Sequence, residues 1–158
     1  MTVTPSARPG GRFTRWIALA GLVVAAAGCV GPSRTAADYR RKAANSAEAV
    51  VSAVESALLT VEVARDGRAP APYVALRLSE DGESVASVET AFGVVQPPSP
   101  KLDSLRSDTL TVIADASDVL EELRIAAYRG ELHRLPEIAR GLEELLEPLR
   151  RLMESAPT

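Results

Sequence analysis

The chain has 158 residues, 46% of them hydrophobic and 25% charged, and its 18 basic and 21 acidic residues give a net charge of −3 at pH 7. This length fits one domain, and the acidic balance argues against general nucleic-acid binding, which depends on clustered positive charge. The single cysteine excludes an internal disulfide, so the fold must be stabilised by packing.

Residues 1–28 have the parts of a secretory signal. Three arginines, Arg8, Arg12 and Arg15, precede an apolar run over residues 16–27. This run is shorter than the roughly 20 residues that cross a bilayer as a helix. We therefore predict a cleaved signal peptide. Its removal takes away three arginines and no acidic residue, so the net charge changes from −3 to −6.

The apolar run ends in Ala26-Ala27-Gly28-Cys29, where small residues precede the only cysteine. This stretch resembles the lipobox of bacterial lipoproteins, with Ala26 at the position where leucine is commonest. The resemblance implies signal cleavage between Gly28 and Cys29 and a diacylglycerol on the Cys29 thiol. It also implies a protein anchored by lipid to the extracytoplasmic face of the cell membrane. Residues 29–35 would then be the lipidated N-terminus and a short tether.

The first helix is predicted from an apolar series that begins soon after Thr35. Its members are spaced alternately four and three residues apart, which places them on one face of a helix. Gly67 is suited to the position after the helix. The series consists of Ala43, Ala47, Val50, Val54, Ala57 and Val61.

The second predicted element, residues 73–92, has three possible structures. Its apolar series is interrupted at Asp81-Gly82, and glycine costs about 1 kcal/mol in a helix interior. One helix, a helix broken near Gly82, and a β-hairpin around the Asp-Gly turn all remain open. Frequent Ala, Ser and Glu favour a helix. The apolar series is Val74, Leu78, Val85, Val88, Phe92 and Val95.

The third helix has the most regular pattern and is predicted to end at Gly130. Ser99 is a candidate N-cap, with Pro100 at the first helical position. The alternation of three and four residues continues through the whole segment. Its members are Leu102, Leu105, Thr109, Val112, Ala116, Val119, Leu123 and Ala126.

The fourth helix is predicted from apolar residues spaced between Leu135 and Leu152. Pro148 lies inside this pattern and is predicted to kink or end the helix nearby, because proline removes a backbone hydrogen bond. The connection from the third helix is very short, which favours antiparallel neighbours. The predicted fold class is therefore all-α, an antiparallel up-down four-helix bundle over residues 36–156.

The candidate chemistry after Cys29 is sparse. His133 is the only histidine, and the sequence contains no phosphate-binding loop or paired metal-ligand motif. We therefore predict a non-enzymatic protein with no cofactor and no metal. In an antiparallel bundle, the connections after helices 1 and 3 would meet at the end away from the membrane. That end would gather a possible partner-binding tip of Arg65, Arg68, Arg129, His133 and Arg134.

Two functions follow from these predictions. The favoured one is an interaction or scaffold module of the cell envelope, held at the membrane through the lipid on Cys29. Its partner would be an envelope protein or an anionic cell-wall polymer, since a basic tip on an acidic body attracts anions. The alternative is a ligand-binding lipoprotein that holds a small apolar molecule or a metal between its helices.

Overall fold

The computed structural model describes residues 33–155, and within this range it contains helices and no strand. The predicted signal peptide, Gly28 and Cys29 lie outside the described residues. The prediction of an all-α domain is confirmed for the described range. Its four main helices are α1 (Ala36–Arg65), α2 (Ala71–Gly93), α3 (Asp103–Tyr128) and α5 (Arg140–Glu154), with the one-turn α4 (Leu135–Ile138) and 3₁₀ turns at Pro100–Leu102 and Leu132–Arg134.

Helix α1 begins and ends where the sequence predicts. Thr35 is the N-cap, because its hydroxyl accepts a hydrogen bond of 3.1 Å from the backbone N–H of Asp38. After Arg65 the backbone reverses through Gly67, whose φ of 68° lies in the left-handed region. The backbone N–H of Arg68 then donates to the carbonyl oxygen of Val63 over 3.1 Å, which closes the last turn of the helix.

Helix α2 is continuous through Gly82, so the β-hairpin and the broken helix are both wrong for this segment. Leu78 and Val85, on either side of the interruption, are completely buried. Burial of two such side chains contributes about 1.5–3 kcal/mol each and offsets the cost of one helical glycine. Asp81 lies on the same face of α2 as these two residues and is only 6% exposed.

Helix α3 starts later than predicted. Ser99 holds the predicted N-cap position and Pro100 the first position, but of a 3₁₀ turn, Pro100–Leu102, and the side chain of Ser99 makes no capping hydrogen bond. The α-helix begins at Asp103. The predicted end is confirmed, because Gly130 follows the helix with a φ of 74°.

The buried face of α3 is wider than the predicted seam. Ile113 and Leu120, which lie outside that seam, are completely buried, whereas Val112 and Val119 are only half-buried. Helix α3 contacts α1, α2 and α5, so side chains on adjacent faces are covered by different neighbours. A single stripe underestimates the buried surface of such a helix.

The predicted fourth helix is divided at Ala139 into the one-turn α4 and the longer α5. Pro148 lies inside α5, and the helix does not end there but continues to Glu154. The buried side chains Leu142 and Leu149 lie on both sides of the proline and keep the segment against the other helices. Packing of this face therefore outweighs the hydrogen bond that Pro148 cannot make.

Two clusters of buried side chains fill the space between the helices. The main core is aliphatic, involves all four main helices, and includes Val54, Leu78 and Leu123. The tether-side core lies next to the start of α1 and is smaller. It consists of Tyr39, Ala43, Phe92, Val95 and Leu102.

Contacts between helices define two ends of the domain. The rings of Tyr39 and Phe92 are 5.7 Å apart at the end that we call the tether-side end, where α1 and α3 begin. At the far end, residues 71–72 of α2 and residues 129–130 after α3 line one groove. Helix α5 does not reach the tether-side end, since Arg150 near its C-terminus lies 3.6 Å from Glu55 in the second half of α1.

Candidate interaction sites at the two ends

Arg65 and Arg68 of the predicted tip share one carboxylate. The turn after α1 brings Arg68 Nη2 to 2.9 Å from Asp66 Oδ2, and Arg65 Nε lies 3.7 Å from Asp66 Oδ1. All three side chains are at least 40% exposed. Exposed ion pairs of this kind contribute little to stability, but here the carboxylate offsets part of the positive charge of the two arginines.

The other three predicted tip residues surround a second carboxylate, that of Glu131. Arg134 Nη1 donates to Glu131 Oε2 over 2.6 Å. This hydrogen bond lowers the pKa of Glu131, and the nearby charges of Arg129 and His133 lower it further. The same bond raises the pKa of Arg134. The structure therefore brings Arg129, His133 and Arg134 together around an acid that the sequence analysis did not include in the site.

Both arginine groups lie at the far end. Helix α1 contacts the 3₁₀ turn Leu132–Arg134 and helix α4. Arg65 also lines one groove with Pro136 of α4. Residues 65–68 and 129–137 carry four arginines and three carboxylates, so this end is densely charged but nearly balanced. The two connections therefore do not form a purely basic tip.

An apolar groove at the far end was missed by the sequence analysis. It lies between the first turns of α2 and the last turns of α3, and its volume is about 550 Å³. Leu76 is 58% exposed and Tyr128 is 82% exposed, although both are large and hydrophobic. We call this surface the far-end groove. Its walls include Pro72, Ala75, Leu76, Arg124, Tyr128 and Arg129.

A separate groove of about 590 Å³, also at the far end, runs between α1 and the α4–α5 segment. Glu55, Glu62 and Glu143 line it together with two arginines, and Leu59 contributes an apolar side chain that is 61% exposed. Three carboxylates give this groove a mixed, mainly acidic character. It is therefore chemically unlike the far-end groove, although the two lie at the same end.

Asp81 is the one acid buried within the described helices. Burial raises the pKa of its carboxyl, and the Ser56 hydroxyl and the Arg77 guanidinium act in the opposite direction. Arg77 Nη2 donates to Ser56 Oγ over 3.4 Å and also pairs with Glu80. Within residues 33–155, Asp81 Oδ2 has no hydrogen-bond partner. Burying this unpaired oxygen between α1 and α2 costs free energy of folding.

At the tether-side end, Arg106 closes the C-terminus of α2. Its Nη2 donates to the carbonyl oxygen of Gly93 over 2.7 Å, a favourable place for a cation because the helix dipole is negative there. Tyr39 lies nearby and is completely buried against Phe92. Burial raises the pKa of the Tyr39 hydroxyl, and the charge of Arg106 opposes that shift.

No protein-family model matches the chain, and no curated protein or solved structure shows significant similarity to it. Across the described range, no helix is both long enough and apolar enough to span a membrane. The same residues contain no group of three or more histidine, cysteine, aspartate or glutamate side chains arranged to hold a metal ion.

Proposed function

We propose that this protein is a non-enzymatic, lipid-anchored module of the cell envelope that binds a partner protein through its far-end groove. The anchor is proposed from the sequence, because Ala26-Ala27-Gly28-Cys29 has the form of a lipobox. The binding surface is proposed from one observation, the exposure of Leu76 and Tyr128 in a groove at the end opposite the tether.

The proposed arrangement of the helices is an antiparallel up-down bundle. Tyr39 meets Phe92 and Ser56 meets Arg77, which supports opposite directions for α1 and α2. The hydrogen bond from Arg106 to Gly93 and the groove shared by residues 71–72 and 129–130 support the same relation between α2 and α3. In this arrangement the far end points away from the membrane.

The chemistry of the far-end groove favours a protein partner over a cell-wall polymer. Exposed aromatic and aliphatic side chains beside arginine are typical of the centres of protein interfaces. Arg124 and Arg129 line the groove, but Arg124 is already held by Glu121 through hydrogen bonds of 2.7 and 2.6 Å. The complementary segment would therefore carry an apolar side chain flanked by a carboxylate that pairs with Arg129. The predicted tip contributes Arg129 to this surface.

The filled interior supports an interaction module over the ligand-binding alternative. Val54, Leu120 and Leu142 are completely buried between the helices, each from a different helix. Their packing occupies the place where a small molecule would sit. The open grooves lie instead on the outside of the helices and suit a flat or convex partner.

The proposal is tested by photo-crosslinking in bacterial cells. A crosslinking residue at Tyr128 should capture one extracytoplasmic protein, identified by mass spectrometry, and the exposed Glu144 on α5 serves as the control position. Leu76→Asp, which places a charge in the groove, should abolish the adduct from position 128 without changing the helical circular dichroism. A polysaccharide adduct would favour the cell-wall polymer, and equal capture at both positions would contradict the proposed surface.

A further inference from the structure

Positive charge is concentrated at the tether-side end. Residues 33–42 and 89–108, which include this end of α1, α2 and α3, carry six cations and four carboxylates, a net charge of +2, whereas residues 29–158 as a whole carry a net charge of −6. Both lysines of the chain lie in these two segments. We call this surface the tether-side face. Besides Arg106, which is bonded to the carbonyl of Gly93, its cations are Arg34, Arg40, Arg41, Lys42 and Lys101.

The geometry of the helices directs this charge towards the tether. Helices α1 and α3 both begin at this end, and helix N-termini carry partial positive charge. Side chains on α1 lean towards its N-terminus, and Arg41 reaches back one turn to within 3.1 Å of Asp38. Arg34, Arg40 and Lys101 are exposed. Val94, in the connection after α2, is a 63% exposed apolar side chain.

The tether is too short to hold this face far from a membrane. Ser33 is only 7% exposed, so the chain is already held against the domain at that residue. Three residues lie between Cys29 and Ser33, and the four steps from one to the other span at most about 14 Å when the chain is fully extended. A lipid on Cys29 would therefore keep the tether-side face within reach of the lipid headgroups.

We propose that the tether-side face is a second membrane contact that binds anionic phospholipid headgroups. This inference rests on the proposed lipid anchor. Stable membrane attachment commonly combines acyl chains with a basic patch, and each cation near an anionic surface strengthens binding about fivefold. The contact orients the domain with α1 upright, so that the far-end groove faces away from the bilayer.

The test uses a chain that begins at residue 29 and carries Cys29→Ser, so that no acyl chain contributes. The buried side chains of both cores lie between Tyr39 and Leu149, so removal of the signal leaves the fold complete. This protein should sediment with vesicles of equal parts phosphatidylglycerol and phosphatidylcholine at low salt. It should not sediment with phosphatidylcholine alone, and binding should be lost in 1 M salt, where the Debye length is about 3 Å.

A matched pair of variants locates the contact. Arg40→Gln with Lys101→Gln removes two cations from the face and should weaken vesicle binding about 25-fold, at about fivefold for each cation. Arg140→Gln with Arg151→Gln makes the same change in net charge on exposed positions of α5. Since Arg150 lies beside Glu55, the control positions are about 25 Å or more from the start of α1, at 1.5 Å per residue.

Binding of the control variant should equal that of the parent protein, with the circular dichroism unchanged in both variants. Equal losses in the two variants, or no sedimentation of the parent with anionic vesicles at low salt, would overturn the second contact. Neither result bears on lipidation, because the protein in this test lacks Cys29. Failure of the anchor itself is detected separately, by mass spectrometry of the N-terminal peptide from cells.

Discussion

The two cores of this domain differ in composition and in the helices that surround them. The main core is built from aliphatic side chains of α1, α2, α3 and α5. The tether-side core has five buried residues, includes an aromatic pair, and lies beyond the end of α5. The far half of the domain is therefore packed by four helices and the tether-side half by three. We infer that most of the stability comes from the far half.

The same truncation in the two cores should have the largest and clearest effect. Leu123 is completely buried in the main core, so Leu123→Ala should lower the free energy of unfolding by about 2–5 kcal/mol. Leu102→Ala should cost about 2 kcal/mol, the low end of the same range, because its turn at the edge of the domain can move into the space. Urea denaturation measures both values.

Leu59→Ala on the exposed side of α1 is the control, with an expected change within about 0.5 kcal/mol. A cost for Leu102→Ala equal to or above that for Leu123→Ala would contradict the difference between the cores.

Asp81→Asn should stabilise the main core by about 1 kcal/mol at pH 7, because it removes a buried, incompletely paired charge. Burial raises the folded-state pKa of Asp81 above its ordinary value of 3.8. The folded state therefore binds a proton more tightly than the unfolded state does. The stability gained from this tighter proton binding is fully present below pH 3.8 and is lost as the pH rises through the raised pKa of Asp81.

The gain from Asp81→Asn should accordingly be largest at neutral pH and shrink as the pH falls towards 3.8. Denaturation of both proteins across this pH range measures the difference. A variant less stable than the parent at pH 7 would show that the Asp81 charge is well compensated by Arg77 and Ser56.

Gly82→Ala tests the helical interior beside Asp81. Apart from its chain neighbours and the backbone of its own helix, a Cβ at this position would meet no atom within 4 Å, and the residue has ordinary helical backbone. The substitution should raise the free energy of unfolding by about 0.5–1 kcal/mol, since glycine loses more backbone freedom on folding than alanine. Gly67→Ala is the opposite control, because the φ of 68° there strains any side chain. Stabilisation by both changes, measured in urea, would contradict the backbone assigned to these glycines.

Tyr39→Phe should have the smallest effect, within about 0.5 kcal/mol of the parent protein, as for a change that removes no net interaction. The ring stays packed on Phe92, and within the described residues the Tyr39 hydroxyl has no hydrogen-bond partner. Thermal or urea denaturation provides the measurement. A loss above about 1 kcal/mol would indicate a hydrogen bond to the hydroxyl and a better-ordered tether-side core.

The sequence predicted the parts of the fold that follow from spacing. Residues such as Val54 and Leu123 lie on the predicted seams and are completely buried. Spacing could not reveal that Ile113 and Leu120 are buried as well, because their burial depends on which neighbours α3 has. Spacing also could not decide whether the chain is helical at Asp81-Gly82, because the local preference for a turn competes there with burial of the residues on either side.

The candidate site was less predictable for a related reason. The sequence identified arginines near the ends of α1 and α3 but not that Asp66 and Glu131 lie against them. Those pairs depend on the exact path of two turns. Leu76 and Tyr128 carried a usable signal, since both are large apolar residues two positions away from a predicted seam residue. Their meeting in one groove depends on how α2 packs against α3.

Mass spectrometry of the N-terminal peptide, from protein purified from bacterial membranes, tests the proposed lipid anchor on Cys29. We expect the mature chain to begin at Cys29, this residue to carry a thioether-linked diacylglycerol, and Cys29→Ser to abolish both the cleavage and the lipid. Arg140→Gln, on the far part of α5, should be processed normally. A mature protein with an unmodified Cys29 thiol, or one that retains Gly28, would contradict the membrane anchor and the orientation proposed from it.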